Sequence, residues 1–211
     1  MKKKIVIILL LLLSVSFGYS QIAWNLKAGM NLSKVTPMDM NEMKQGYQFG
    51  VGMDYYFNNH WGIHPSLMLI SKGYKEKVGF GYVTEYDGFE RGLKSYSITS
   101  DRIYIEIPAM LAYRFNVSNT VRLVLNGGGY FSCGVAGRFK KNNAYEDGSI
   151  EKINTCIFSA GVSRLDAGLG AGTILEYKNR YILNLFGEWG LKNVHGATKN
   201  RTFGFNVGYK F

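Results

Sequence analysis

Proline is scarce in this chain, three residues in 211, and so are cysteine (two) and histidine (three). The histidines are scattered and the cysteines far apart, which excludes any usual zinc spacing. Beyond residue 20 no stretch approaches the roughly 20 apolar residues a membrane helix needs. If the mature chain lies in a membrane, it must cross it as strands. No glycine-rich segment stands between a strand and a helix as a phosphate cradle, so the 26 glycines serve another purpose. With 15 tyrosines and 13 phenylalanines, the composition favours strands joined by tight turns. No second domain, linker or low-complexity tract breaks the chain.

The one long apolar run is at the start. Lys2, Lys3 and Lys4 precede nine unbroken apolar residues at 5–13, and Gly18 and Ser20 supply small residues at the −3 and −1 positions. This pattern predicts a secretory signal peptide over 1–20, cut between Ser20 and Gln21, with a mature domain of 21–211. No cysteine follows the run, so an N-terminal lipid anchor is not expected. Formal net charge is +10, and removing the three leader lysines leaves +7. A basic chain suggests nucleic acid, but export argues against that partner and favours anionic lipid phosphates.

After residue 23 the period is two. Tyr47, Phe49, Val51, Met53, Tyr55 and Phe57 alternate with Gln48, Gly50, Gly52, Asp54 and Tyr56. A strand sends successive side chains to opposite faces, so one side is oily and the other polar or tiny. Eight such segments are predicted, at 24–32, 46–57, 61–72, 103–115, 121–133, 164–177, 181–191 and 202–211. Gly127, Gly128 and Gly129 suggest a bulge or bend in the fifth. Connections alternate: short at 58–60, 116–120 and 178–180, long at 33–45, 73–102, 134–163 and 192–201. Short turns on one side and long loops on the other mark an even-stranded transmembrane barrel.

The same period would suit a soluble barrel with an apolar interior. Three features choose the membrane. The polar face combines glycines with Lys27, Asp54, Glu106, Arg114, Arg122, Asp166, Glu176 and Glu188, a poor water-facing surface but a suitable lumen. Aromatics sit near strand ends, at Trp24, Tyr55, Phe57, Trp61, Tyr113, Phe115, Tyr177, Tyr181, Trp189 and Phe211, as in interfacial girdles. An alternating aromatic strand closes on Phe211, resembling the signal read by outer-membrane assembly machinery. Backbone groups in hydrocarbon must all be bonded, so the sheet has to close. The expected fold is all-β: a closed antiparallel eight-stranded barrel, monomeric, in the outer membrane of a Gram-negative bacterium. Eight strands leave room only for side chains, so no open pore is expected and the interior charges should pair across the lumen.

Particular stretches carry a resemblance. Gly29-Met30-Asn31-Leu32-Ser33, the stretch from Pro65 to Ser71-Lys72-Gly73, Tyr104-Ile105-Glu106-Ile107-Pro108, Asp166-Ala167-Gly168, Gly190-Leu191-Lys192-Asn193 and Phe203 through Phe211 occur in order. Together they resemble the PorT-type outer membrane β-barrel family, small eight-stranded barrels of the OmpX and OmpA kind. The resemblance spans 24–211. It implies the architecture, and for the name-giving member a part in type IX protein secretion, a role that maps onto no residue here.

His64-Pro65-Ser66 with Glu106 on the next strand has the composition of a lipid A deacylase site: base, nucleophile and orienting acid. Its position near the short-turn end is wrong for an outer-leaflet substrate. Neither catalytic, cofactor nor metal residues are expected. Cys133 and Cys156 could form a disulfide across the loop between them, or remain as thiols with Cys133 facing lipid. Two basic clusters mark the long loops, Lys72, Lys75 and Lys77, then Arg138, Lys140 and Lys141, beside Tyr74, Tyr82, Tyr86 and Tyr96. They suit contact with lipid phosphates or a surface or secretion-system protein. The expected protein is a non-enzymatic barrel whose loops bind a partner or the lipid surface. A secretion accessory and a lipid A-modifying enzyme are the alternatives.

Overall fold

Side chains of the first strand, β1 (Ile22–Thr36), sort by parity. Asn25, Lys27, Asn31 and Ser33 are buried, while Trp24, Leu26, Met30 and Leu32 are exposed. An oily exposed face over a polar buried one is the inverse of a water-soluble sheet. The computed structural model describes residues 22–37, 41–84, 90–159 and 161–211, and of 41, 78–84, 90–93 and 159 it describes the backbone alone. The leader predicted over 1–20, with its expected cleavage site at Ser20–Gln21, lies outside the described residues, as does Tyr86.

The remaining strands are β2 (Asn41–Tyr56), β3 (Trp61–Thr84), β4 (Glu90–Asn116), β5 (Val121–Tyr145), β6 (Ile150–Cys156), β7 (Leu165–Tyr177), β8 (Tyr181–Gly190) and β9 (Lys199–Lys210). All pairings are antiparallel. β1 pairs with both β2 and β9, and the β4–β5 ladder joins the two ends of the sheet. The ring is therefore closed, with eight strands and no edge in it. β6 stands outside, paired to the upper part of β5. No helix among the described residues is long and apolar enough to cross a membrane.

The short turns follow from their residues. Lys178 and Asn179 both take positive φ, 51° and 57°, as the two central residues of a type I′ turn do, and the Arg180 N–H donates to the Tyr177 carbonyl at 3.1 Å to close it. The Asn58 side chain accepts from the N–H groups of His60 and Trp61 at 2.8 and 2.7 Å. Ser118 Oγ does the same for Thr120 and Val121. Side-chain acceptors of this kind hold the chain in turns.

The expected irregularity at Gly127–Gly129 is absent. All three residues keep continuous register with Leu111, Met110 and Ala109 on one side and with Ala171, Gly170 and Leu169 on the other. Gly128 is required by close approach rather than by a bend: a Cβ there would lie 3.0 Å from Met110 Cα. The bulges fall elsewhere. One lies in β2 between Met43 and Gln48, the second at Val135 in β5, where Ile103 pairs with Ala136 but Tyr104 with Gly134, and a third at Lys94 in β4, where Leu93 pairs with Tyr145 but Ser95 with Ala144. The second reverses parity, so that above it even-numbered residues of β5 face outward.

Strands also run well past the predicted ends. β3, β4 and β5 have 24, 27 and 25 residues, whereas about 9–11 cross a bilayer. The segments 73–102 and 134–163 are thus largely a sheet of β3–β4–β5–β6 standing above the ring, not irregular loops.

Candidate functional site

The lumen is built from levels of paired charge. Near the short-turn end Lys210 Nζ lies 2.5 Å from Asp54 and 2.6 Å from Glu176. Asn25 donates to Asp54 at 3.0 Å, and His64 Nδ1 stands 3.8 Å from the same carboxylate. Lys27 Nζ donates to Ser66 Oγ at 3.3 Å. Further up, Lys72 Nζ sits between Glu106 at 2.5 Å and Glu188 at 2.8 Å, and 4.3 Å from the Tyr130 ring centroid. Asp166 accepts from Asn200 at 2.7 Å and from Tyr130 OH at 3.3 Å. Burying a charge is costly unless it is paired and hydrogen-bonded. Asp54, Glu176, Glu106 and Glu188 each meet a lysine, whereas Asp166 has the two neutral donors alone and a buried Oδ1 without a partner.

Of the eight charges singled out in the sequence, Lys27, Asp54, Glu106, Asp166, Glu176 and Glu188 are buried in the lumen. Arg114 and Arg122 are half-buried at the short-turn mouth, with the Arg114 guanidinium 3.3 Å from the Tyr56 ring centroid. Lys72 and Lys210, the two cations that bridge the carboxylates, were not among the eight. Lys210 carried a signal, as a lumen-parity residue between Tyr209 and Phe211. By sequence Lys72 groups with Lys75 and Lys77 as a loop cation; the β3–β4 ladder continues past it and draws it inside. Lys44, joined to Asp101 at 2.8 Å, and Arg102 are further buried cations without a local sequence signal.

The channel is filled. Ala112, Val124, Ile174 and Ile182 form an apolar plug toward the short turns. At the opposite mouth the 3-10 turn Ile157–Ser159 folds over the opening. Phe158 there meets Tyr104 edge-on at 6.3 Å, and Arg164 lies 4.9 Å from its ring centroid. Ser163 N–H donates to the Val194 carbonyl, clasping this cap to the β8–β9 loop. His64, Ser66 and Glu106 all line a central cavity of about 50 Å³. That volume suits one or two waters, not an acyl chain. Glu106 is held by Lys72, Ser66 by Lys27, and the His64 ring packs edge-on to Tyr56 at 5.2 Å.

No disulfide joins Cys133 to Cys156. Cys156 pairs with Arg138, five residues beyond Cys133 along β5. At about 3.3 Å per residue the two lie roughly 16 Å apart along the sheet, beyond any bond.

The outer surface is asymmetric. Nine of the ten end aromatics gather at the short-turn rim, where Trp61, Tyr113 and Phe115 meet edge-on in sequence at 4.8 Å, and Tyr181, Tyr209 and Phe211 at 5.7 and 5.3 Å. Of the ten, Trp189 alone stands at the other rim, edge-on to the exposed Phe203 at 5.9 Å. There the apolar belt, ending at Leu69, Ile103 and Val135, gives way to Lys75, Lys77, Arg138, Lys140 and Lys152. Register places these on one outward face: Lys75 beside Thr99 and Lys140, Lys77 beside Ser97, Asn142 and Lys152, and Arg138 beside Asp101. Lys34, opposite Arg201, continues the band on β1 and β9.

A family model described as an outer membrane protein beta-barrel domain matches residues 15–196. The chain belongs to this family. Its place is the outer membrane of a Gram-negative bacterium, with the short turns periplasmic and the β3–β6 sheet extracellular. Among solved structures, it is similar to Ail of Yersinia pestis in complex with the heparin analogue sucrose octasulfate (17% identity, 90% of this chain and 99% of that one, TM-score 0.46). It is also similar to OprG of Pseudomonas aeruginosa (12%, 92% and 98%, TM-score 0.40) and to Neisserial surface protein A (12%, 90% and 96%, TM-score 0.39). No curated protein matches the chain in sequence. For an outer membrane barrel, the aromatic rim is thus periplasmic and the basic rim extracellular.

Proposed function

We propose that this outer membrane barrel is a non-enzymatic surface protein that engages the phosphate layer of the outer leaflet through its basic extracellular rim. The observation that carries this reading is the outward face of Lys75, Lys77, Arg138, Lys140 and Lys152. It begins two to four residues above the hydrocarbon belt, or about 7–13 Å along the strands. Cations at that height meet lipid phosphates, each contributing on the order of 1 kcal/mol near an anionic surface. The charge-filled lumen and the engaged Ser66 and Glu106 favour a structural over a catalytic barrel. The test is thermal unfolding of the mature barrel in nanodiscs with and without lipid A. The wild type should gain stability from lipid A, and the variant with Lys75, Lys77, Arg138 and Lys140 changed to Gln should lose most of that gain. Equal gains would reject the reading.

A second reading follows the PorT-type resemblance, an accessory part in protein export. It is favoured by the periplasmic mouth, a polar cavity of about 450 Å³ lined by Asn58, Asn116, Asn179, Arg114 and Arg122. Its test is accumulation of exported proteins in the periplasm of a strain lacking the gene. Normal export would exclude it.

A further inference from the structure

In the upper lumen Glu106 and Glu188 share Lys72 and Asp166 accepts two neutral donors, but Arg102, a buried cation at the same end, has no ion-pair partner among the described residues. Arg102 is 2% exposed. Its Nε and Nη2 atoms are buried without a hydrogen-bond partner. The nearby acids are committed elsewhere. Glu106 and Glu188 hold Lys72, Asp166 accepts from Asn200 and Tyr130 through Oδ2 while its Oδ1 is left without a partner, and Asp101, on the outward side of β4, holds Lys44. Beside Arg102, Ser100 is buried as well, and its hydroxyl has no partner.

Both residues line a cavity of about 180 Å³ beneath the extracellular cap. Its walls are apolar, formed by Phe139, Ile157 and Val162, with His195 at the rim. The site depends on Gly137, which pairs with Arg102 across the ladder. A Cβ on Gly137 would collide with Ile157 Cγ2 and lie 3.2 Å from Arg102 Cα, so glycine lets the cap settle beside the guanidinium. The space equals about six waters' share of the liquid. That is below the size of a drug-like ligand and suits a compact molecule of roughly ten heavy atoms.

We propose that this cavity is a binding site for a small carboxylate with a compact apolar body. Arg102 has a planar fork that meets a carboxylate through two parallel N–H donors, and Ser100 Oγ supplies a third. The apolar walls take the remainder of the molecule. Charge-assisted bonds to a desolvated guanidinium discriminate strongly against a neutral isostere, because the guanidinium is then left unpaired. This site is separate from the basic rim and does not depend on its function.

The probe is benzoate, titrated calorimetrically into the whole mature barrel refolded in zwitterionic detergent, with benzamide as its neutral counterpart. Benzoate is expected to bind at least about tenfold more tightly than benzamide. Arg102→Met should weaken benzoate by a similar factor while leaving benzamide unchanged, and Val162→Trp, which fills the cavity, should weaken both. Proper folding of each variant is read from altered gel mobility before boiling. Should Arg102→Met not fold, the benzoate–benzamide comparison on the wild type still decides. Absence of benzoate binding, equal binding of the two probes, or benzoate affinity unmoved by Arg102→Met would overturn the proposal. Displacement of benzoate by equimolar inorganic phosphate would also overturn it, by showing that the apolar body adds nothing.

Discussion

Replacing Lys72 by Met is the most direct probe of the lumen. Lys72 is fully buried, and its ammonium touches Glu106 at 2.5 Å and Glu188 at 2.8 Å. Met keeps the length of the stem and removes the charge. Two carboxylates then face each other in a narrow interior without a cation between them. Removing one partner of a buried pair costs about 3–5 kcal/mol, mostly through the charge left uncompensated. With a urea dependence of about 3 kcal/mol per molar, the unfolding midpoint should fall by roughly 1–1.7 M. The assay is reversible urea unfolding in lipid vesicles, followed by tryptophan fluorescence and by gel mobility. Adding Glu106→Gln to Lys72→Met should return part of the loss, because the second change removes one of the stranded charges. A coupling of about 1–3 kcal/mol is expected for groups in one network. A midpoint within about 0.3 M of wild type would refute the reasoning, because the ammonium would then be contributing little to holding the strands together.

Two further outcomes follow. A Gly29→Val side chain would put its Cβ against the Phe205 carbonyl and 2.8 Å from Asn206 Cα, backbone that cannot yield. The variant should lose about 1–3 kcal/mol or fail to close, measured as the fraction migrating in the folded form. On the extracellular sheet the Glu76 carboxylate accepts the Tyr96 hydroxyl at 2.7 Å and holds this phenol above its ordinary titration range. Glu76→Ala should bring Tyr96 titration down toward about 10, followed by carbon NMR of labelled tyrosine. Because the folded value is the raised one, any stability from this bond is present below pH 10 or so and fades as Tyr96 ionises. An unmoved titration would mean the bond is not formed in solution.

Much of the barrel was legible as pattern. Parity alone assigned Trp24 and Leu26 to the membrane and Asn25 and Lys27 to the lumen, because the period of a strand is two and a slip of one residue would reverse every side chain. What parity does not carry is register between strands. Lys72 pairs with Glu188 from β8, and Lys210 with Asp54 and Glu176 from β2 and β7. These neighbours are distant in sequence and meet only when the ring closes. The same blindness made three adjacent glycines look like a bend, when Gly128 answers to Met110 on the neighbouring strand. Conversely, nothing about Val135 announces the bulge that flips β5 and turns Arg138 and Lys140 outward. Arg102 had no local mark either. Its isolation becomes visible only once every acid around it has been assigned to another cation or donor.

The unlike rims have a mechanical consequence. Aromatic rings hold an interface loosely, since a phenol or indole gains from a zone several ångströms deep and can slide within it. Ammonium and guanidinium groups at phosphates are held more narrowly, because retreat into hydrocarbon is prohibitive for a charge. With its basic rim seated at phosphates as proposed, the barrel would be pinned at its outer rim and float at its inner one. In a thicker or thinner membrane the displacement would be taken up on the periplasmic side, and the tall β3–β6 sheet would keep a constant height above the cell surface.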